Sequence, residues 1–269
     1  MPSRSAKGIK YETGVATEVT DLLTVEAPLQ VTINGNPFTV TMRTPGDDYR
    51  LVTGLLFTEG VVKQCKDQFP YSEKKDPDSG VTVTVDLQIL DLFLCENLQA
   101  KRSLLINAAC GVCGTRELAD LNLTLTGEPL EPRGVLDVGI LPGLAETMCR
   151  RQRVFDETGG IHAAAAFRLD GECLCVFEDI GRHNAVDKVA GFLLETDDIG
   201  GADILFVSGR VSFEIVSKAW HAGIPYLVAV SAPSALAVDM CEHWGMSLIA
   251  FCRGTRATVY TNPQNVRGV

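Results

Sequence analysis

Hydrophobic and polar residues follow two different patterns along the chain, and the first of them governs the N-terminal half. Apolar and polar residues alternate over 29–42 and again over 81–89, which is typical of half-buried β-strands. Asn34-Gly35 interrupts the first segment with two residues that accept positive φ, so 29–42 is predicted to form a hairpin. A helix is expected between the two segments, from the capping signal Thr44-Pro45-Gly46-Asp47-Asp48 to Gly60.

Two polar segments of this half show no such period. Residues 1–23 are predicted to form a loose arm. Residues 71–80 are rich in Lys, Asp and Pro, which favours a surface loop.

The second half contains short apolar segments that are separated by helical patterns. Helices are predicted over about 137–151, from Arg182-His183 onward, and up to Ala222 and Trp244. Apolar strands that alternate with helices indicate an α/β layer with a largely buried sheet. The predicted strands are 161–169 and 173–178, joined as a hairpin at Asp170-Gly171, and then 204–207, 226–230, 247–251 and 257–260.

A segment rich in Gly and Pro, 127–134, is the candidate linker between two domains. We predict an N-terminal, β-rich α+β domain over 1–130, with a cysteine-containing loop near its end. Residues 131–269 are predicted to form the α/β domain. A chain of 269 residues is long enough for two domains of ordinary size.

Charge and cysteine usage restrict the classes of function. The chain has 24 Lys and Arg against 34 Asp and Glu, a net charge of −10, which argues against general binding of nucleic acid. An anionic ligand therefore needs a local basic cluster. No apolar run reaches the roughly 18 residues of a membrane span, and the first residues lack the apolar part of a secretory signal. Nine cysteines, an odd number, favour free thiols in a reducing cytoplasm.

Two cysteines, Cys110 and Cys113, lie in the glycine-rich segment 107–114. A thiolate is both the nucleophile and the carrier of transferable sulfur, so a sulfur-handling cysteine needs exposure and a lowered pKa. Glycines favour a loop here, and the nearby cations in the sequence are Lys101, Arg102 and Arg116. Two cysteines at this spacing also let one resolve a persulfide of the other. We interpret both as catalytic residues of a sulfur carrier.

Three other interpretations of this cysteine pair stay open. The first is half of a zinc site, which a second pair of ligands would have to complete. The candidates for that pair are Cys173 with Cys175 and Cys241 with His243, and both lack the usual ligand spacing. The second is a thioredoxin-type pair, which forms a disulfide, although no βαβ pattern surrounds it. Inert loop thiols are the third interpretation. We predict no bound zinc, and we expect buried structural thiols at Cys95, Cys149, Cys173 and Cys175.

Several clusters of polar residues suit an anionic ligand. One is Thr158-Gly159-Gly160-Ile161-His162, and a richer one, 178–188, surrounds a predicted helix N-terminus, which favours phosphate. The alternative for the second cluster is that Asp179 caps the helix while Asp187 and Lys188 lie on a solvated face. Ligands of open α/β sheets bind beyond the carboxyl ends of the strands. The segments at that edge are Ser208-Gly209-Arg210, Ser231-Ala232-Pro233-Ser234 and Cys252-Arg253-Gly254.

The order of elements in the second half also resembles that of zinc deaminases. Those enzymes need His-x-Glu and a later Pro-Cys-x-x-Cys. In this chain Asn184 and Ala185 follow His183, and the next strand–helix junction, 208–212, has no cysteine. The architecture is compatible with a deaminase-like domain, whereas the deaminase reaction is not expected.

A series of motifs over roughly 28–262 resembles the formate dehydrogenase accessory sulfurtransferase family. Ile161 stands where the family pattern has Val, and the sequence otherwise departs little from the pattern. The motifs are Thr41-Met42-Arg43-Thr44-Pro45-Gly46-Asp47-Asp48, Thr58-Glu59-Gly60, Cys110-Gly111-Val112-Cys113-Gly114, Thr158-Gly159-Gly160-Ile161-His162-Ala163-Ala164, the whole of 178–188, Ser208-Gly209-Arg210-Val211-Ser212 and Ser231-Ala232-Pro233-Ser234.

The resemblance implies a specific function. Members of the family take sulfur from a cysteine desulfurase as a cysteine persulfide, which falls on Cys110. They pass it to the molybdenum cofactor, as bis(molybdopterin guanine dinucleotide), before that cofactor enters formate dehydrogenase. The implied fold is a cytidine-deaminase-like, three-layer α/β/α domain with a smaller N-terminal domain, generally as a homodimer. The family's cofactor-binding stretch falls on Phe251-Cys252-Arg253-Gly254-Thr255-Arg256.

A guanine-bearing, anionic cofactor suits the basic sheet edge of an otherwise acidic chain. We expect the intact cofactor, or GDP in its place, to bind the stretch 251–256 together with Arg182, His183, Ser208, Gly209, Arg210 and Ser231. A non-catalytic chaperone for the cofactor and a redox thiol protein are the alternative functions. Sulfur on Cys110 distinguishes the proposed carrier from both, because neither alternative needs a persulfide.

Overall fold

The computed structural model describes residues 1–62, 69–95 and 127–269. The catalytic prediction for Cys110 and Cys113 lies outside these ranges. Within them the chain is mixed α/β, with a four-stranded sheet, a six-stranded sheet and two sheets of two strands. No helix in the described ranges has both the length and the apolar character that crossing a bilayer requires.

The first 24 residues form a β-hairpin, so the prediction of a loose arm for 1–23 is wrong. β1 (Ser3–Glu12) pairs antiparallel with β2 (Val15–Thr24). Thr13 and Gly14 form the turn with φ of 48° and 89°, the positive values that a two-residue hairpin turn needs. Most side chains of both strands are exposed, and a strand without a buried face has no hydrophobic alternation to reveal it.

The next strands form a four-stranded sheet with the order β4-β3-β6-β5. β3 (Ala27–Ile33) and β4 (Asn36–Arg43) are the predicted hairpin, with Asn34 and Gly35 at φ of 52° and 75°. β6 (Thr82–Leu87) confirms the predicted strand over 81–89. The loop predicted over 71–80 is wrong in part, because β5 (Tyr71–Lys75) is an exposed edge strand there.

Helix α1 (Asp48–Thr58) covers this sheet by burying Leu51, Val52 and Leu56 against its strands. The helix begins at Asp48, four residues after the predicted capping hydroxyl, because Thr44 is bonded to another part of the chain instead. Gly60 follows its end with φ of 62°, as predicted.

The second half is built on a six-stranded sheet with the order β13-β12-β11-β10-β8-β9. β10, β11 and β12 run parallel, whereas β8, β9 and β13 each run antiparallel to a neighbour. A short parallel pair, β7 with β14, forms a two-stranded sheet of its own. The strands are β7 (Leu136–Asp137), β8 (His162–Phe167), β9 (Cys173–Asp179), β10 (Ile204–Val207), β11 (Tyr226–Ala229), β12 (Ser247–Arg253), β13 (Arg256–Val259) and β14 (Val266–Arg267).

Helices cover both faces of the six-stranded sheet. α2 (Leu141–Arg150) packs on one face and is followed by the short α3 (Arg153–Thr158). α4 (Arg182–Glu195), α5 (Phe213–His221) and α6 (Ala235–His243) pack on the other. The predicted three-layer α/β/α arrangement is therefore confirmed, and its closer likeness to cytidine deaminases stays a prediction.

The predicted linker, 127–134, contacts the second half directly. The backbone N–H of Leu130 donates to the carbonyl of Trp244 at 2.8 Å. The indole Nε1 of Trp220 donates to the carbonyl of Glu128 at 3.0 Å. This segment is thus attached to the helical layer formed by α5 and α6.

Helices α1 and α4 cross at two glycines. A Cβ on Gly54 would lie 1.8 Å from the backbone oxygen of Asp187, and one on Gly191 would lie 1.9 Å from that of Arg50. Both obstacles are backbone atoms of the partner helix, which no side-chain movement can remove. The crossing therefore fixes how the four-stranded sheet, through α1, lies against α4.

Replacing Gly54 with alanine should destabilise the protein by about 3 kcal/mol, because the added methyl forces the two helices apart. Urea denaturation measures the effect. Gly143→Ala in α2 is the matched control, since nothing lies within 4 Å of a Cβ at that position. Equal unfolding midpoints for Gly54→Ala and Gly143→Ala would contradict the close contact between α1 and α4.

Candidate functional site

The predicted ligand-binding segments lie together at one edge of the six-stranded sheet. β10, β11 and β12 end there, at Val207, Ala229 and Arg253. β8 begins at the same edge because it is antiparallel to β10, and β9 ends there beside it. We call this the carboxyl edge. It brings together the predicted residues Arg182, Ser208, Gly209, Arg210, Ser231 and Arg253.

Three basic side chains converge around Gly209, and we call them the basic cluster: His162, Arg182 and Arg210. A Cβ on Gly209 would lie 3.4 Å from His162 Nδ1 and 3.4 Å from Arg182 Cβ and Cδ. Arg210 follows directly and is exposed. The glycine thus leaves a small space between an imidazole and a guanidinium stem.

The electrostatics of the basic cluster favour an anion. Burial lowers the pKa of His162, and the charges of Arg182 and Arg210 lower it further, although Asp179 acts in the opposite direction. Arg182 Nε is buried and has no hydrogen-bond partner within the described part of the chain. A buried donor without a partner is costly, so this nitrogen is available for an acceptor that comes from outside.

Two predicted serines at this edge have different environments. Ser208 Oγ accepts a hydrogen bond from the backbone N–H of Ala163 at 2.9 Å, which fastens β8 to the end of β10. Ser231 is half-buried, and its carbonyl accepts from Phe251 N–H at 3.3 Å. Ser208 therefore has a structural bond of its own.

The C-terminal stretch 251–256 forms an exposed hairpin end with an irregular backbone. The pairing of β12 with β13 shifts register between Ala250 and Arg253, and Phe251 lies inside this shift with φ of 54°. A left-handed conformation costs a residue like Phe roughly 1–2 kcal/mol. Phe251 is 42% exposed. Arg253 Nε donates to the carbonyl of Val230 at 3.1 Å, so its guanidinium lies over the end of β11. Gly254, Thr255 and Arg256 are all exposed.

Two residues of the predicted set point into the protein. The Cys252 thiol is buried in the core beneath α2, and burial raises its pKa. The His183 ring is largely buried as well. Burial, with the charges of Arg182 and Lys218, lowers the pKa of His183 to about 4, so the imidazole is neutral at pH 7. Neither side chain belongs to the exposed part of the carboxyl edge.

Much of the motif at 178–188 forms a buried network with the N-terminal half. Asp179 pairs with Lys188 Nζ at 2.8 Å and accepts from the backbone N–H groups of Thr44 and Gly181. Asn184 Nδ2 donates both to Asp179 and to the carbonyl of Met42. The motifs around 41–48 and 178–188 therefore bind each other.

A second buried network joins α1, α4 and α5. Lys218 Nζ lies 2.9 Å from Asp187 Oδ1 and 2.7 Å from Glu59 Oε1, and Thr58 Oγ1 donates to Asp187 at 2.7 Å. Although burial lowers the pKa of Lys218, Asp187 and Glu59 raise it more, so the ammonium stays charged. The alternative that placed Asp187 and Lys188 on a solvated face is wrong, because both are buried and paired.

The signals for Lys218 in the sequence are weak. It lies in an apolar helical run with Ile215, Val216 and Ala219, where a lone lysine suggests a buried partner. The position of that partner, Asp187, depends on how the helices pack. Thr58-Glu59-Gly60 is one of the motifs shared with the family, and this network contains its first two residues.

The described cysteines are mostly structural thiols. Burial raises the pKa of Cys175 and of Cys241 to about 12, and it raises that of the half-buried Cys173. Of the four cysteines predicted to be buried, only Cys175 is; Cys95 and Cys173 are half-buried and Cys149 is exposed, which contradicts the prediction for these three. Within the described ranges, no group of three or more His, Cys, Asp or Glu residues is arranged to hold a metal ion.

Comparison with known proteins gives consistent matches over almost the whole chain. The FdhD/NarQ family model matches residues 24–267. The sulfur carrier protein FdhD of Mycobacterium tuberculosis is 42% identical over 253 residues, 91% of this chain and 92% of the relative. That of Streptomyces coelicolor is 40% identical over 266 residues, 97% and 94% of the two chains. That of Sulfolobus acidocaldarius is 36% identical over 267 residues, 99% of each.

A solved structure has the same fold. It is the crystal structure of a protein provisionally assigned as a formate dehydrogenase accessory protein of Desulfotalea psychrophila. The TM-score is 0.76, and the match covers 99% of this chain and 100% of that one. Because the two sequences are only 20% identical, this likeness speaks for the fold alone.

Proposed function

The chain belongs to the FdhD/NarQ family, and from this premise we propose that it is a sulfur carrier that supports formate dehydrogenase. In this proposal it acts as a sulfurtransferase with a cysteine persulfide intermediate. Its relatives at about 40% identity carry the name sulfur carrier protein. The sulfur comes from a cysteine desulfurase and is passed to the molybdenum cofactor before that cofactor enters formate dehydrogenase.

The first step is the acceptance of sulfur by Cys110. Its thiolate attacks the terminal sulfur of the desulfurase's cysteine persulfide, a new S–S bond forms, and the desulfurase thiolate leaves. This exchange needs no net oxidant or reductant. Cys110 then holds the transferable sulfur as its own persulfide.

Cys113 is suited to release that sulfur. Its thiolate attacks the Cys110 sulfur, a disulfide forms between the two cysteines, and hydrosulfide leaves toward the metal. The two thiols supply the two electrons that turn the persulfide sulfur into sulfide. An external thiol must afterwards reduce the disulfide, and this requirement separates the role of Cys113 from that of Cys110.

The basic cluster supports a binding site for the cofactor at the carboxyl edge. The chain carries a net charge of −10, yet His162, Arg182 and Arg210 converge around Gly209, and Arg182 Nε is buried with no partner in the described ranges. This local concentration of donors is the observation that carries the proposal. Diphosphate oxygens of the guanine dinucleotide are the acceptors that such donors bind.

The exposed hairpin end supplies the rest of the proposed site. Phe251 offers an exposed ring for stacking on an aromatic base, and Arg253 and Arg256 add positive charge. Gly254 and Thr255 lie between these arginines, where backbone N–H groups and a hydroxyl are available. We expect the guanine end of the cofactor, or GDP in its place, at this hairpin.

The double variant Arg210→Ala, Arg253→Ala should bind GDP at least roughly a hundredfold more weakly than wild type. Each lost charge-assisted hydrogen bond is worth about 1.5–3 kcal/mol. Calorimetric titration with GDP measures the affinity. Arg267→Ala is the matched control, because Arg267 is an exposed arginine of β14 that lies far from the carboxyl edge. Asn265, two residues before Arg267, accepts a hydrogen bond from the hydroxyl of Tyr226, which begins β11 at the opposite edge of the sheet. Equal GDP affinity in all three proteins would place the site elsewhere.

The proposal also includes partners. A cysteine desulfurase and formate dehydrogenase bind the chain in turn, and the chain acts as a homodimer in the cytoplasm.

A further inference from the structure

We propose that His162 binds the diphosphate of the nucleotide at the carboxyl edge and takes up a proton as it does so. This inference rests on the proposed function, because it concerns the same nucleotide site. It adds a residue outside the predicted cofactor-binding set and gives that site a measurable dependence on pH.

The fold places His162 beside the space where a phosphate would bind. His162 is the first residue of β8, and β8 is held to the end of β10 by two bonds between Ala163 and Ser208, of 2.9 and 3.0 Å. Its Nδ1 lies 3.4 Å from the position that a Cβ on Gly209 would occupy, the same distance as Arg182 Cδ. A group that entered above Gly209 would therefore meet the imidazole and the guanidinium together.

The imidazole of His162 has no hydrogen-bonding partner among the residues that the structure describes. The nearest acid, Asp179, lies opposite it in the β8–β9 pairing. The carboxylate of Asp179 is buried and already bound by Lys188, Asn184 and the backbone N–H groups of Thr44 and Gly181. Asp179 is thus occupied, and the imidazole is available to a ligand.

The charges that face His162 come from three elements. Arg182 on α4 and Arg210 after β10 disfavour the imidazolium, whereas Asp179 at the end of β9 favours it. Burial and the two arginines prevail, so the pKa of His162 lies below its ordinary value in the free protein. At pH 7 the ring is neutral. A bound diphosphate brings negative charge next to the ring, which raises its pKa and draws a proton from solution.

Calorimetric titration with GDP at pH 6.5, in buffers of different ionisation enthalpy, counts the protons that are taken up on binding. Wild type should take up about half a proton to one proton more per GDP than His162→Gln does. The terminal phosphate of GDP also titrates near this pH, and the difference between the two proteins removes that contribution. His243→Gln is the control, because His243 is an exposed histidine at the end of α6.

The affinity for GDP should depend on pH, because binding is linked to the uptake of a proton. Between pH 8 and pH 6 the affinity of wild type for GDP should rise roughly fivefold more than that of His162→Gln, since proton uptake favours binding at low pH. Arg210→Gln gives a second test that does not depend on how His162→Gln folds. Without the Arg210 charge the free imidazole is more protonated, so proton uptake on binding should fall.

Identical proton uptake in wild type, His162→Gln and Arg210→Gln, with GDP bound in each, would overturn the role of His162 and leave the proposed nucleotide site intact. No binding of GDP by wild type would instead contradict the nucleotide site itself, and the role of His162 with it. Lower uptake in both variants, with the His243→Gln control unchanged, is the result that we expect.

Discussion

A Cys110→Ala variant should leave formate dehydrogenase inactive in cells that depend on this chain for its maturation. The proposed route carries every sulfur atom on the Cys110 thiolate, and alanine has no nucleophile to replace it. Formate dehydrogenase activity in a deletion strain that expresses the variant measures the effect. The expected loss is complete rather than partial.

Cys149→Ala is the matched control for this experiment, because Cys149 is an exposed thiol of α2 that the proposed chemistry does not use. It should restore full formate dehydrogenase activity. Cys113→Ala should retain the sulfur adduct but release sulfur poorly, since its proposed task is to resolve the persulfide. Normal enzyme activity with Cys110→Ala would remove Cys110 from the proposed route.

The Lys218→Met variant should lower the free energy of unfolding by about 3–5 kcal/mol, the usual cost of leaving a buried charge without its partner. Lys218 and Asp187 have side-chain exposures of 4% and 1%, so water cannot replace the lost ammonium. Urea denaturation followed by circular dichroism measures the change.

Two further variants test whether the loss comes from the charge. Lys75→Met changes an exposed lysine of β5 and should leave the midpoint almost unchanged. Lys218→Met combined with Asp187→Asn removes both charges of the pair and should recover part of the lost stability. A double variant whose loss of stability equals the sum of the losses of Lys218→Met and Asp187→Asn alone would show that the pair is not coupled as the structure indicates.

The sequence predicts those strands and helices that are buried on one face or on both faces. Alternation identified the hairpin at 29–42 and the strand at 81–89, and short apolar runs identified β10, β11 and β12. The strands β1, β2 and β5 could not be found in this way, because their side chains are largely exposed on both faces. Their pairing is set by backbone hydrogen bonds and by the turn at Thr13-Gly14.

The polar motifs were harder to interpret than the apolar ones. Thr44 looked like a helix cap, yet it bonds to Asp179 and Ile180 more than 130 positions away in the chain. For Asp187 and Lys188 a solvated face was the alternative interpretation, although each is buried with a partner from another element. Local sequence carries no information about such partners.

The convergence of the ligand-binding segments was predictable because parallel strands end at the same edge. Arg182, Gly209, Arg210 and Arg253 were found by this argument. The inward direction of the His183 and Cys252 side chains could not be predicted, because it depends on the rotation of α4 and on the bulge in β12. His162 belonged to a recognised motif, and its position beside Gly209 appears only in the structure.

The most direct test of the proposed function is the mass of the intact protein after incubation with a cysteine desulfurase and cysteine. We predict a gain of one sulfur atom, located by peptide mapping to Cys110, absent from Cys110→Ala and removed by a reducing thiol. Absence of added sulfur from both wild type and Cys113→Ala, in which a persulfide on Cys110 cannot be resolved to a disulfide, would contradict a persulfide carried by Cys110, and so would the same gain of sulfur after Cys110→Ala.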